Sequence, residues 1–347
     1  MPDIRRRTFL GATGLLAVPV TIPSSPPRVA FVGSYAAGLD VALAGEAGLR
    51  RGFTVPGVPA ASWFALSADK KLLYATNETE DGTVTAVDVR DPLKPAVLGS
   101  RSTLGAGPTH LSVAGRHLLT ANYTSGSLVV HPIRRDGTLG EATDLVRHAG
   151  AQPHAHQVLP DPSGRWVLAV DLGTDSVYVY RLDAGKLVAH QQVSLPAGTG
   201  PRHLAFHPGG RALYVACELD PAVVPGTWDP VRGEVRLRDA VPVGVRDQDY
   251  PGEIAVAPDG RFVYVSVRGA NTIAALRTGR ALTPVQAAPT GGNWPRHFTF
   301  DASARRMYVS NQRSGTVTWL PRDPATGRLG AAEGELAVPE VATVLFR

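Results

Sequence analysis

Six stretches of this chain open alike and recur about every 45 residues, a period that constrains the fold more than any other feature. Five begin with proline: Pro108-Thr109-His110, Pro153-His154-Ala155-His156, Pro201-Arg202-His203, Pro251-Gly252-Glu253 and Pro295-Arg296-His297. Those prolines are 45, 48, 50 and 44 residues apart. A sixth copy, Ser62-Trp63-Phe64, lacks the proline and keeps the rest. Each opening runs into alternating apolar residues, then a polar turn such as Pro258-Asp259-Gly260-Arg261. A second apolar segment follows: KLLYATNE, RHLLTANY, RWVLAVDL, RALYVACE, RFVYVSVR or RRMYVSNQ. A third comes after a Gly- or Asp-containing loop. Period-two alternation bounded by turn residues indicates short strands. Roughly four strands in a repeat of about 40–50 residues make a β-propeller blade.

Two ends are left over, RVAFVGSY at residues 28–35 and the tail AAEGELAVPEVATVLFR. Neither is a whole blade, but together they complete one, and closing the ring removes exposed sheet edges. The expected fold is therefore all-β: one seven-bladed β-propeller over residues 28–347, its last blade closed by the N- and C-terminal strands. A 44% hydrophobic composition with 37 Gly and 29 Pro supplies the apolar strands and the turns.

The net charge of +5 owes part of its excess to Arg5, Arg6 and Arg7, and no basic run is interleaved with aromatics. Nucleic acid is thus not an expected partner. A single Cys217 excludes an internal disulfide and a cysteine-built zinc site, and its strand position reads as a small buried apolar residue. At the N-terminus, residues 1–27 set a positive region before an apolar stretch too short for a membrane span. Arg6-Arg7-Thr8-Phe9-Leu10 resembles a twin-arginine signal. The expectation is export from a bacterial cytoplasm, with no membrane attachment after signal removal, and a monomeric protein.

In a propeller the first strand of each blade lines the central channel, and the second returns antiparallel to the same face. That geometry puts Arg202 near Glu218, His110 near Asn122, His154 and His156 near Asp171, Glu253 near Arg268, and Arg296 and His297 near Asn311. One rim thus gathers His, Arg, Glu and Asp from most blades. His110, His203 and His297 share one slot, two residues after the proline, which favours a structural role over substrate contact. His154 and His156 break that register; two residues apart on a strand, they face the same way and could grip a metal. No third ligand stands at recognisable spacing, so no metal or other cofactor is expected. Arg202 and Arg296 on one rim suit an anion, and Glu218 could act as a base or as the ion-pair partner of Arg202.

The segments FVGSY, LSADKKLLYATNE, GPRHLAFHPGGRALYVACEL and PRHFTFD resemble the lactonase-type seven-bladed propellers. That family includes bacterial 6-phosphogluconolactonases and fungal carboxy-muconate lactonizing enzymes. The resemblance covers nearly everything after residue 28, and the GPRHLAFHP block is its most specific part. It implies a small, anionic lactone substrate and working residues His154, Arg202, Glu218 and Arg296. His110, His156, His203, Arg268 and His297 then stand as candidate substrate contacts. This chain departs from the family in Cys217, where Asn is common before the Glu, and in a short Ala-rich segment after FVGSY. A competing expectation is a non-catalytic exported propeller that binds a small anion or a protein on the same rim. A redox propeller would show more stacked Trp and carboxylate ligands than this sequence does.

Overall fold

The computed structural model describes residues 28–347, so the export-signal reading of residues 1–27 lies outside the described residues. Twenty-nine strands form seven sheets around a central channel. Six blades follow the repeats in chain order, with inner strands Ala61–Leu66, Pro108–Ala114, Ala155–Pro160, Pro201–Phe206, Tyr250–Val256 and Pro295–Phe300. These are blades 1 to 6. In blade 7 the inner strand is the C-terminal Val341–Phe346, paired with Arg28–Ser34 and backed by Gly38–Gly45 and Gly48–Val55. The expected closure by both termini is what the sheet order shows.

No single core lies at the centre. Apolar side chains form seven clusters, each sandwiched between two neighbouring blades. Val, Leu and aromatic residues alternate on the middle strands and so bury both faces of each sheet, as sheet-on-sheet packing requires. Cys217 is fully buried in the slab between blades 3 and 4, beside Leu204, Val215 and Trp228. Burial pushes its thiol pKa up, which fits the packing role expected of it.

One local device matters for function. Near the start of every inner strand the pairing with the second strand slips by one residue. Such a bulge leaves one residue outside the ladder and re-aims its side chain. Counting from the slip, the bulged positions are Ser62, Thr109, His156, Arg202, Gly252, Arg296 and Ala342. The next residue along each strand forms a second ring: Trp63, His110, Gln157, His203, Glu253, His297 and Thr343. The chain enters each strand through a tight approach. At Gly200 the backbone is left-handed (φ +59°), and a Cβ there would lie 2.5 Å from the Leu219 side chain. Trp294 holds the same slot in blade 6 with φ 65°, a strained conformation for so bulky a residue.

Candidate active site

The site is built from two sets of positions on one face of the disc. The first is the bulged set. The second is the residue just after the second strand in most blades, whose N–H donates to the carbonyl just before its own blade's inner strand. Glu218 donates to Gly200, Tyr123 to Gly107, Glu78 to Ala60, and Tyr35 to Glu340. Arg268 holds the corresponding place in blade 5, at the end of strand Phe262–Arg268. Between them lies a cavity of about 200 Å³ lined by Glu78, Thr109, Tyr123, His156, Glu218, Arg268 and Arg296. A larger groove of about 480 Å³ opens between blades 4 and 5 on the outer side, but its charged residues Arg211, Arg238, Asp239 and Arg280 are all exposed. Water screens charges placed so openly, which makes the channel-mouth cavity, with its buried charges, the candidate site.

Arg202 Nε lies 3.1 Å from Glu218 Oε2, so the hairpin ends meet as the sequence predicts. The same oxygen lies 2.6 Å from an Nη of Arg268. Burial alone would raise the Glu218 pKa, yet Arg268 and Arg202 outweigh it and hold the carboxyl below its ordinary value. Glu218 is therefore a carboxylate fixed between two guanidiniums. Arg202 is 2% exposed, and its approach to Glu218 misses hydrogen-bond geometry: among the described residues neither Nε nor Nη1 has a hydrogen-bond partner. Burial first, and then the neighbouring Arg268, lower its pKa to about 9, which leaves it charged at neutral pH. Arg296 reaches across to Glu78 at 3.5 Å, where the Tyr35 hydroxyl also donates, at 2.8 Å. Three guanidiniums thus face two carboxylates in a confined space.

Two sequence-based placements need correction. Glu253 does not meet Arg268, whose guanidinium bonds the Tyr250 and Pro251 carbonyls and Glu218 of the preceding blade. Glu253 instead sits 3.1 Å from Nδ1 of His203. Blade 3 is also shifted against its proline. Ala155, not Pro153, pairs where Pro201 pairs in blade 4, so His156 takes the slot of Arg202 and His154 that of Gly200. His154 stacks on Tyr123, bonds that residue's carbonyl through Nδ1, and donates its backbone N–H to Asp171. The cavity lining includes His156 and not His154.

The second ring is mostly structural. His110 Nδ1 accepts the Val158 N–H of the next blade, His297 Nδ1 that of Val344, and Gln157 Oε1 that of Leu204. Each pins one blade to its neighbour at the same register. Burial lowers the pKa of both His110 and His297 to about 3, so both rings are neutral. They pack around Trp63, with ring centroids 4.4 and 5.1 Å away. Among the described residues no three His, Cys, Asp or Glu side chains converge as a metal site would require. Sequence reasoning passed over Tyr35, Glu78 and Tyr123. Their signal was positional, since each directly follows a second strand, as Glu218 does.

Residues 30–346 match the family described as "Lactonase, 7-bladed beta-propeller". The chain belongs to this lactonase family. With it the chain joins the carboxylic ester hydrolases. A curated relative from Bacillus subtilis, named 6-phosphogluconolactonase, is 34% identical over 82% of this chain and 86% of its own length. Another of that name, from Pectobacterium carotovorum, is 35% identical over 66% of this chain and 71% of its own. Among solved structures, a periplasmic gluconolactonase of Pseudomonas aeruginosa superposes with TM-score 0.87 at 28% identity, covering 92% of this chain and 99% of that one.

Proposed function

We propose that this lactonase hydrolyses a small sugar-acid lactone, without a metal ion, in the cavity at the channel mouth. The observation that carries this reading is the guanidinium wall: Arg268 and Arg296 line the cavity, and the buried Arg202 stands beside Glu218 just outside that lining. Water attack on the ring ester turns its carbonyl oxygen into an oxyanion and leaves a carboxylate product. Arg202 and Arg296 suit both charges, and their low-dielectric setting strengthens the interaction. Glu218, ionised and shared between Arg202 and Arg268, holds those groups in place rather than taking a proton. The names of the Bacillus and Pectobacterium relatives support a sugar-acid lactone.

The test is to follow hydrolysis of gluconolactone and 6-phosphogluconolactone by acid release, with and without a chelator. Turnover unchanged by chelator, and lost in an Arg202→Ala, Glu218→Ala double variant, is the expected result. Binding of either lactone without turnover would make this a binding propeller, and chelator-sensitive turnover would overturn the metal-free mechanism. We also infer export through the Arg6-Arg7 signal, a reading that the periplasmic Pseudomonas relative supports. Cell fractionation of an Arg6→Lys, Arg7→Lys variant should find it retained in the cytoplasm; unchanged export would sink the signal.

A further inference from the structure

Of the three histidines in the second ring, His203 is the one that does not bond the backbone of the next blade. His110, Gln157 and His297 each turn an acceptor to a backbone N–H of the next blade. His203 turns Nδ1 instead to the Glu253 carboxyl, 3.1 Å away on the next inner strand. Its other nitrogen, Nε2, lies 3.1 Å from Nδ1 of His156 on the preceding inner strand. His156 in turn lines the cavity, and Nε2 is the ring nitrogen that this chain of contacts leaves over. His156, His203 and Glu253 are 5%, 1% and 7% exposed. A continuous line of hydrogen-bonding groups therefore runs from a buried carboxyl through two imidazoles to the cavity wall.

We propose that His156 Nε2 is the base that takes the proton of the attacking water, and that His203 and Glu253 are positioning residues that pass that proton inward. The proposal rests on the lactonase reading of the cavity. Such a line can be filled with hydrogens in two directions. With Glu253 ionised, it accepts from His203 Nδ1–H, His203 Nε2 accepts from His156 Nδ1–H, and His156 Nε2 presents a lone pair. With Glu253 protonated, every bond reverses, and His156 Nε2 carries a hydrogen and cannot act as a base. In the productive direction, water oxygen attacks the lactone carbonyl carbon and its proton goes to His156 Nε2. The Nδ1 proton of His156 moves to His203 Nε2, and that of His203 Nδ1 moves to Glu253. When the tetrahedral intermediate collapses, the ring C–O bond breaks, and the alkoxide takes a proton back from His156 Nε2 as the line reverses. The carboxylic acid formed then ionises to solvent.

The surroundings of the line favour its transferring the charge rather than storing it on a ring. Burial, then Arg202 and the other histidines, hold His203 well below its ordinary pKa; burial, then Arg202, Arg296 and Arg268, do the same for His156. The other titratable groups packed on the line are His110 and Tyr123 from blade 2 and His297 from blade 6. Burial raises the pKa of Glu253 to about 8, against the opposing pull of Arg202. The productive direction therefore gains ground as pH rises through that value.

Two measurements test the relay. In the first, kcat is recorded against pH for the wild type, Glu253→Gln and Glu253→Asp. The wild type should gain rate through a limb near pH 8. Glu253→Gln should lose that limb and about 10–100-fold in plateau kcat with KM little changed, and Glu253→Asp should restore part of both. An active Glu253→Gln enzyme with its limb intact overturns the relay and leaves the lactonase reading standing. In the second, nitrogen NMR of labelled histidine in the unmodified protein reads the His156 tautomer directly, whether or not any lactone is turned over. Nε2 should be bare above that pH and protonated below it; a tautomer that never changes overturns the relay. Absence of turnover on every lactone, with the tautomer switch present, overturns only the function reading.

Discussion

Bulged positions and second-strand ends bring Arg202, Arg268, Arg296, Glu218 and Glu78 together at the channel mouth, where Arg268 and Arg202 hold Glu218 as a carboxylate. One residue further along the same inner strands, the ring of Trp63, His110, His203, Glu253 and His297 is kept neutral or nearly so. The two layers are made from the same hairpins, yet they solve burial oppositely. At the mouth, opposite charges sit close enough to hold each other: Glu218 stays ionised because two guanidiniums exceed its desolvation penalty. In the deeper layer burial outweighs the pull of Arg202 on Glu253 and acts together with Arg202 on His110 and His297, so these groups keep or shed protons until they are uncharged. A buried polar group is thus held either by a partner charge or by losing its own, and a single residue of offset along the strand decides which.

Substitutions in the two layers should therefore behave differently. The largest effect belongs to the mouth. Arg202→Ala should cut kcat/KM by about 10²–10³, the scale of a lost oxyanion donor, and also lower the melting temperature, because Glu218 is left largely buried with one of its two guanidinium partners gone. A drop in melting temperature with activity preserved would reverse the assignment of the layers. Next comes Glu253, whose raised pKa makes the folded state hold a proton that the unfolded chain releases. Stability contributed by that proton is complete below pH 4.5 and declines until the pH reaches about 8. Glu253→Gln removes this dependence, so its melting temperature should gain on the wild type across that window; a constant gap would mean that Glu253 is ionised in the fold. The smallest effect is expected at His297. Replacing it with Leu leaves the Val344 N–H unpaired, which should lower the melting temperature by about 2–4 °C and leave kcat within about twofold of the wild type, far short of a lost general base. A large activity loss there would bring the second ring into the chemistry.

What was legible in the sequence follows the range of the contacts. Arg202 and Glu218 could be paired because one hairpin joins them, and hairpin pairing depends only on turn position and alternation. The repeat itself, and the closure by both termini, were legible for the same reason. Contacts between blades were not: Arg268 with Glu218, Arg296 with Glu78 and His203 with Glu253 depend on how neighbouring sheets are set around the axis. Blade 3 shows a second limit. Proline is the last paired residue before the bulge in four blades, but Pro153 stands two residues ahead of that place, so counting from proline pointed to His154 when the bulge belongs to His156. Only the ladder register separates them.

The slip at the head of each inner strand has a consequence for how such a protein can change. A residue outside the ladder carries no pairing duty, so its side chain can be exchanged without a cost in sheet registry. The seven bulges hold Ser, Thr, His, Arg, Gly, Arg and Ala in turn; Gly252 is closed to a side chain by Ser266 and the Pro295 and Arg296 carbonyls, and the other six are sockets around one mouth. A new substrate range is then reachable by single substitutions that the folding of the ring barely registers.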